Sequence, residues 1–191
     1  MEIESAKAAS ELLARHWREG RVLDALPTSL RPANREEGYL IQRQIEALSD
    51  SPLFGWKIAA TSAAGQRHIG LDGPIAGRLL AETVHSDGDL IPFGANRMRV
   101  AEAEFAFRMG GDLPPRDRRY EVSEVLDAVS ELYLAIEIPD SRFADFVKVG
   151  GPQLIADNAC AHRFVLPTST GHLAAARFGL TSRGRPRRQS S

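Results

Sequence analysis

Glu102 and Glu104 stand one residue apart in the segment Arg99-Val-Ala-Glu102-Ala-Glu104-Phe-Ala-Phe107. Ala101, Ala103, Phe105 and Phe107 alternate there with Val100, Glu102, Glu104 and Ala106, which is the period-two pattern of a β-strand. The pattern puts both carboxylates on one face and the aromatic rings on the other. Two carboxylates beside a core repel each other and lose hydration unless a cation or a proton neutralises them. The cation suited to hard oxygen donors is Mg²⁺, Mn²⁺ or Ca²⁺. Taken alone, the segment also fits an edge strand whose glutamates face water. A third carboxylate favours the metal. In Glu131-Leu-Tyr-Leu-Ala-Ile-Glu137-Ile-Pro139, Leu132, Leu134, Ile136 and Ile138 form one face of a second strand, and Tyr133, Ala135 and Glu137 form the other. An acidic side chain among such neighbours, just before a strand-ending proline, is costly unless paired or ligated. Three carboxylates from two strands suit an octahedral oxygen site with positions left for water or substrate.

The elements that must position these groups follow from periodicity and caps. A helix is predicted over residues 4–19, with Ala6, Ala9, Leu13 and Trp17 on one face and Gly20 as its C-terminal stop. A second is predicted over 34–48, with Asn34 as N-cap, Glu37 three residues on, and Gly38, Ile41, Ile45 and Leu48 as its stripe. Phe54 to Ala60 reads as a strand with Lys57 in its middle. Residues 65–80 are rich in glycine and turn formers but match no phosphate-cradling loop. A strand near 81–85, a turn at Ser86-Asp-Gly-Asp89 and a helix over 121–130 with Val122, Val125, Leu126 and Val129 inward come next. The last apolar piece is Cys160 to Leu166. Helices first and strands later predict an α+β fold rather than a doubly wound sheet.

The chain has 191 residues, enough for one domain with a core, and its 43% hydrophobic and 26% charged content is that of a globular protein. A formal charge of −1 gives no global attraction to nucleic acid or membrane, and no apolar run reaches the ~20 residues of a membrane span. The N-terminus lacks the pattern of a signal peptide, so a cytoplasmic location is expected. Cys160 is the only cysteine, which excludes an internal disulfide and a thiolate metal cluster. After Asp157 the charged residues are all arginines. The sequence predicts one domain over 1–167 and a basic, disordered tail over 168–191, a solvated segment and not a nucleic-acid module.

Several short motifs occur in order: Tyr39-Leu-Ile-Gln42, Gly55-Trp-Lys-Ile58, Pro74-Ile-Ala-Gly-Arg-Leu79, Glu102-Ala-Glu104, Ala135-Ile-Glu-Ile138 with Asp140-Ser-Arg142, and Ala156-Asp-Asn-Ala159. Each is weak alone; together they cover roughly residues 5 to 166. The whole resembles the 2-keto-4-pentenoate hydratases and 4-oxalocrotonate decarboxylases of the fumarylacetoacetase superfamily. The resemblance implies a mixed β-roll after the N-terminal helices, a divalent metal (Mg²⁺ or Mn²⁺), and a short unsaturated 2-oxo acid as substrate. It implies Glu102, Glu104 and Glu137 as metal ligands, Lys57 as a catalytic residue, and Glu82 as an acid/base where members carry aspartate. Members continue past this point with more strands and a loop that holds the substrate carboxylate. Here the chain turns to Ser169-Thr-Gly-His and the basic tail, so a C-terminally truncated roll is expected.

The expected chemistry is therefore that of a lyase that adds water to such an oxo acid. A decarboxylase or an acylpyruvate hydrolase of the same superfamily, and an inactive remnant or partner subunit, stay open beside it. Association with itself or with a full-length relative is expected. Lys57 read as a residue alone is also a solvated strand lysine. Arg142 is expected at the substrate carboxylate, although it fits a salt bridge with Asp140 or Asp145 equally well, and Asp157 and Asn158 are expected either to touch the substrate or to support the residues that do. His68, His85, His162 and His172 read as surface or turn residues, and Cys160 as a small core residue in a strand.

Overall fold

The computed structural model describes residues 1–167. The stretch 168–191, on which the expectation of a basic tail falls, lies outside the described residues.

Helix α1 spans Ile3–Glu19 and buries Ala6, Ala9 and Leu13. Gly20 ends it in the left-handed region at φ 62°, and a Cβ there would meet Ala95 Cβ at 2.6 Å, so both conformation and space call for glycine. Helix α2 spans Arg35–Gln42, capped by Asn34, whose side chain accepts from the Glu37 N–H at 2.9 Å. Glu37 does not return the bond to Asn34; its carboxylate accepts from Ala33 N–H and the N-terminal amine. The predicted 34–48 helix tightens after Gln42 into a 3₁₀ helix at Arg43–Leu48, which leaves Leu48 exposed.

Strands β1 (Leu53–Ala59) and β2 (Ile75–Leu80) form an antiparallel pair in which Lys57 lies opposite Gly77. Helix α3 (Ala63–His68) sits between them, where the sequence suggests only turns. Strands β3 (Val84–His85), β4 (Glu102–Met109), β5 (Val129–Ile138) and β6 (Arg163–Val165) form a second sheet in the order β3-β6-β5-β4. The β3–β6 pair is parallel and the others are antiparallel. Helix α4 (Val122–Asp127) leads into β5, and its Val122 and Val125 are exposed, contrary to the inner face predicted for them. Helix α5 (Gly151–Ala156), missed in the sequence, is almost wholly buried and packs against α2. Together these elements are the α+β architecture expected. No helix among the described residues is long and apolar enough to cross a membrane.

On β4 and β5 the face of small residues and carboxylates is the inner one. Phe105 (67% exposed), Phe107, Leu134 and Ile136 look outward, while Tyr133, Ala135 and Glu137 are buried. The reason is size. Small Ala135 and Ala106 pack over Leu79, Ala161 and Phe164, and that thin layer leaves room beside it for carboxylates.

Behind the sheets lies a polar hub. Asp157 accepts from Ser141 Oγ (2.6 Å), Arg142 N–H (2.7 Å) and Trp17 Nε1–H (3.1 Å). The Arg142 guanidinium lies 4.0 Å above the Trp17 ring and pairs with Asp140. Burial pushes the Asp157 carboxyl up to about 6 against the hydrogen bonds that favour its charge. Its unfolded value is 3.8, so between about pH 4 and 6 the folded protein binds more protons here than the unfolded chain. The sign follows: this group's contribution to stability falls as pH rises through that window. At ~1.4 kcal/mol per pKa unit, the loss is about 3 kcal/mol. Urea unfolding of the wild type from pH 4 to 6.5 should show this downward contribution, and Asp157→Asn, less stable overall for lack of a third acceptor, should lack that slope. Parallel pH profiles would show that Asp157 is not the titrating group.

Candidate metal centre and the cavities around it

In the antiparallel register of β4 and β5, Glu102 pairs with Glu137 and Glu104 with Ala135. One carboxylate oxygen from each of Glu102, Glu104 and Glu137 lies within 4.8 Å of the other two. Their exposure is graded: Glu102 is exposed, Glu104 half-buried and Glu137 2% exposed. Glu137 is therefore the group that most needs a partner. Lys57 Nζ supplies one at 2.9 Å from Glu137 Oε1, its own side chain only 8% exposed. Burial raises the Glu137 pKa; the Glu102 and Glu104 charges add to the rise and Lys57 opposes it. Three ionised carboxylates and one ammonium leave a formal −2, which one divalent cation cancels. Hard oxygens, graded burial and that charge fit Mg²⁺ or Mn²⁺.

Lys57 reaches the carboxylates because β1 turns Gly55, Lys57 and Ala59 inward and Phe54, Trp56 and Ile58 outward. Gly77 opposite it is essential to the fit. A Cβ there would collide with the Asn158 carbonyl and come within 3.1 Å of Lys57 Cγ. The Asn158 carbonyl belongs to a left-handed turn: Asn158, Ala159 and Cys160 have φ of 56°, 51° and 64°. The Asn158 side chain clamps the turn to β2, accepting from Arg78 N–H (2.6 Å) and donating to Arg78 C=O (2.8 Å). Cys160 thus lies in this turn and not in a strand, and burial pushes its thiol up to about 12, so it is no nucleophile.

The three carboxylates and Lys57 line a cavity of about 350 Å³ that also takes in Ala159 and Cys160. A larger groove of about 690 Å³ meets it at Lys57, Glu104 and Glu137. The structure therefore gathers four of the expected residues: Lys57, Glu102, Glu104 and Glu137. It places the other four elsewhere. Glu82 sits on a 3₁₀ turn, Ala81–Thr83, not on the predicted strand, because β2 ends at Leu80; it lines a separate cavity of about 600 Å³. Asn158 lines that same cavity and is spent on β2. Arg142 and Asp157 are 1% exposed and spent on the polar hub, so neither is open to a ligand. Of the histidines read as surface residues, His162 is half-buried against Trp17 (ring centroids 4.6 Å apart) and burial lowers it to about 4, while His172 lies outside the described residues. Gly77 and the 158–160 turn are the supporting residues that sequence reasoning missed. A glycine facing a lysine across a hairpin is a readable sign; an alanine and a cysteine in left-handed conformation are not.

No protein-family model matches the chain. Among curated proteins it is 31% identical over 165 residues to 2-keto-4-pentenoate hydratase 1 of Dechloromonas aromatica (strain RCB), covering 85% of this chain and 62% of that protein. It is 30% identical over 186 residues to the 2-keto-4-pentenoate hydratase of Paraburkholderia xenovorans (strain LB400), covering 93% and 68%. The fold matches that of 4-oxalocrotonate decarboxylase from Pseudomonas putida G7, complexed with magnesium and adipate, with a TM-score of 0.77 at 21% identity over 87% of this chain and 63% of that one. The chain belongs to the 2-keto-4-pentenoate hydratase family. It spans 61–62% of the length of the two Dechloromonas relatives.

Lys57→Met leaves Glu137 buried beside two like charges with no counter-ion. Without divalent cation the variant should lose about 3–5 kcal/mol of unfolding free energy at pH 8, and progressively less as the pH falls, because burial raises the Glu137 pKa and protonation removes the unpaired charge. A loss independent of pH would show that the pair does not govern stability here.

Proposed function

We propose that this chain is a metal-dependent lyase that adds water to a short unsaturated 2-oxo acid, with Glu102, Glu104 and Glu137 holding Mg²⁺ or Mn²⁺. The observation that carries the reading is the convergence of three carboxylates from two paired strands on one buried lysine. The bound ion would supply Lewis acidity toward the keto and carboxylate oxygens of the substrate. Lys57 keeps a positive charge against the reacting centre, favours an anionic substrate, and steadies negative charge that develops on the keto oxygen. Its Nζ is also the proton-carrying group placed beside the carboxylates, whereas Glu82 opens to a different cavity. Water reaches the site through the groove on the Glu104 side.

The decarboxylase reading is supported by the fold neighbour, and an inactive remnant or partner subunit by the share of the relatives that the chain spans. We propose further that residues 1–167 act as one domain in the cytoplasm. The outward apolar face of Phe105, Phe107, Leu134 and Ile136 supports self-association or pairing with a longer relative.

The test has two readouts. Mg²⁺ or Mn²⁺ should raise the melting temperature, since a ligand that binds only the folded state stabilises it, and Glu102→Ala, Glu104→Ala or Glu137→Ala should each abolish the rise. Hydration of 2-hydroxypenta-2,4-dienoate, followed by loss of its absorbance, should need the metal and fall at least tenfold in Lys57→Ala. A full metal-dependent rise in the triple alanine variant would overturn the ligand set. Metal binding without turnover on any oxo acid would favour the inactive partner.

A further inference from the structure

Strand β4 stands at the end of its sheet. Over Glu102–Met109 it pairs with β5 along one edge, and among the described residues no strand pairs with its other edge. Such an edge offers a row of backbone N–H and C=O groups to any strand that fits it, and proteins guard edges with proline, lysine or a bulge. β4 contains neither proline nor lysine. The bulge near its end belongs to β5, because Arg108 faces Glu131 and Met109 faces Val129, which leaves Ser130 unmatched. The side chains on its outer face, Phe105, Phe107 and Met109, are apolar and exposed.

The order of residues along this edge says what fits it. Laid antiparallel against itself about Ala106, β4 sets Phe105 opposite Phe107, Ala103 opposite Met109 and Glu104 opposite Arg108, each pair twice. The two phenylalanines share the outer face, and Glu104 and Arg108 share the inner one. Cross-strand aromatic and opposite-charge pairs stabilise a sheet, and like charges directly opposite weaken it. Other centres fit less well. A two-fold at Ala103 sets Glu102 against Glu104; one at Phe107 makes no ion pair; one at Phe105 leaves one ring pair in place of two. Arg108 is free to serve the pairing, since its 3.0 Å contact with Glu131 comes from the β5 side and is an exposed ion pair of little strength.

We infer that β4 docks edge to edge with the β4 of a second copy of this chain, antiparallel about Ala106, and joins the two four-stranded sheets across a two-fold axis. The inference rests on the self-association reading above and gives it an occupant and a register. In this dimer Arg108 of each copy stands beside Glu104 of the other, so each copy brings a cation to the rim of its neighbour's carboxylate cluster.

Sedimentation of the full chain over a range of concentrations should show a dimer. Phe107→Lys, which guards the edge, and Arg108→Glu, which sets like charges opposite, should each weaken it at least tenfold, with folding checked by circular dichroism. Glu131→Gln, which releases Arg108 from its own sheet, should leave the dimer as tight or tighter. Two cysteine variants read the register. Opposite Cα atoms of an antiparallel pair lie about 4.5–5.5 Å apart, within disulfide reach, and diagonal ones about 7–8 Å apart, beyond it. On mild oxidation a mixture of Phe105→Cys and Phe107→Cys should therefore give a crosslinked dimer that neither variant gives alone. Cys160 is buried, with its thiol pushed up to about 12, and takes no part. A dimer that keeps its strength in Phe107→Lys and Arg108→Glu, or that crosslinks through Phe105→Cys alone or not at all, would overturn the edge and register and leave self-association standing. A chain that stays monomeric at every concentration would overturn both. A monomer that associates only with a longer hydratase would overturn the second copy as occupant.

Discussion

The ammonium of Lys57 and the carboxylate of Glu137 meet at 2.9 Å across the space between the two sheets, both almost fully shielded from water. Neither charge is affordable alone. A buried ion left unpaired costs several kcal/mol, and the attraction within a pair offsets that only when the geometry is held fixed. The pair therefore imposes conditions on its surroundings. β1 and β5 must be presented at one separation, Glu102 and Glu104 must share the Glu137 face, and nothing larger than a hydrogen can stand at position 77 behind the lysine stem.

Those conditions explain the backbone at 158–160. Three successive non-glycine residues in the left-handed region cost of order 1–3 kcal/mol each, and such a turn persists only where its neighbours over-determine it. Asn158 acts as an extra rung on β2, and the Asp157 carboxylate ties the start of the turn to Ser141, Arg142 and Trp17. Arg142, Asp157 and Asn158 thus hold the wall of the site in place from behind. They do so through Ala159 and Cys160, which line the cavity, and through the Asn158 carbonyl packed on Gly77.

The meeting of Glu102, Glu104 and Glu137 was legible in the sequence because it rests on the period of two, which survives in both strands, and on the cost of burying a carboxylate. Helix α1 was legible for a similar reason: a local apolar stripe and a terminal glycine decide it. Which face of β4 and β5 turns inward was not, since Phe105 and Leu134 outweigh Ala106 and Ala135 by hydrophobicity alone, and the small residues prevail only through the packing of Leu79, Ala161 and Phe164 against them. Helix α5 escaped notice for being short and buried on all sides, which erases amphipathic periodicity. Glu82 was misplaced because the predicted strand near 81–85 is a strand only at Val84–His85, and the 3₁₀ turn before it, Ala81–Thr83, carries the glutamate to another cavity.

Graded burial of the three glutamates ties folding to ligand binding. Glu102, the exposed one, stays open to water, so its charge costs the fold little desolvation. Glu137 is already dehydrated, and its raised pKa records chiefly the cost of that burial, with a smaller part from the two like charges beside it. A divalent cation held by Glu102, Glu104 and Glu137 would offset that cost, and a proton would compete with it for the same oxygens. The Lys57 ammonium limits that cost to what the fold can bear. With a divalent cation on the three carboxylates, the formal charge of the site including Lys57 would be zero.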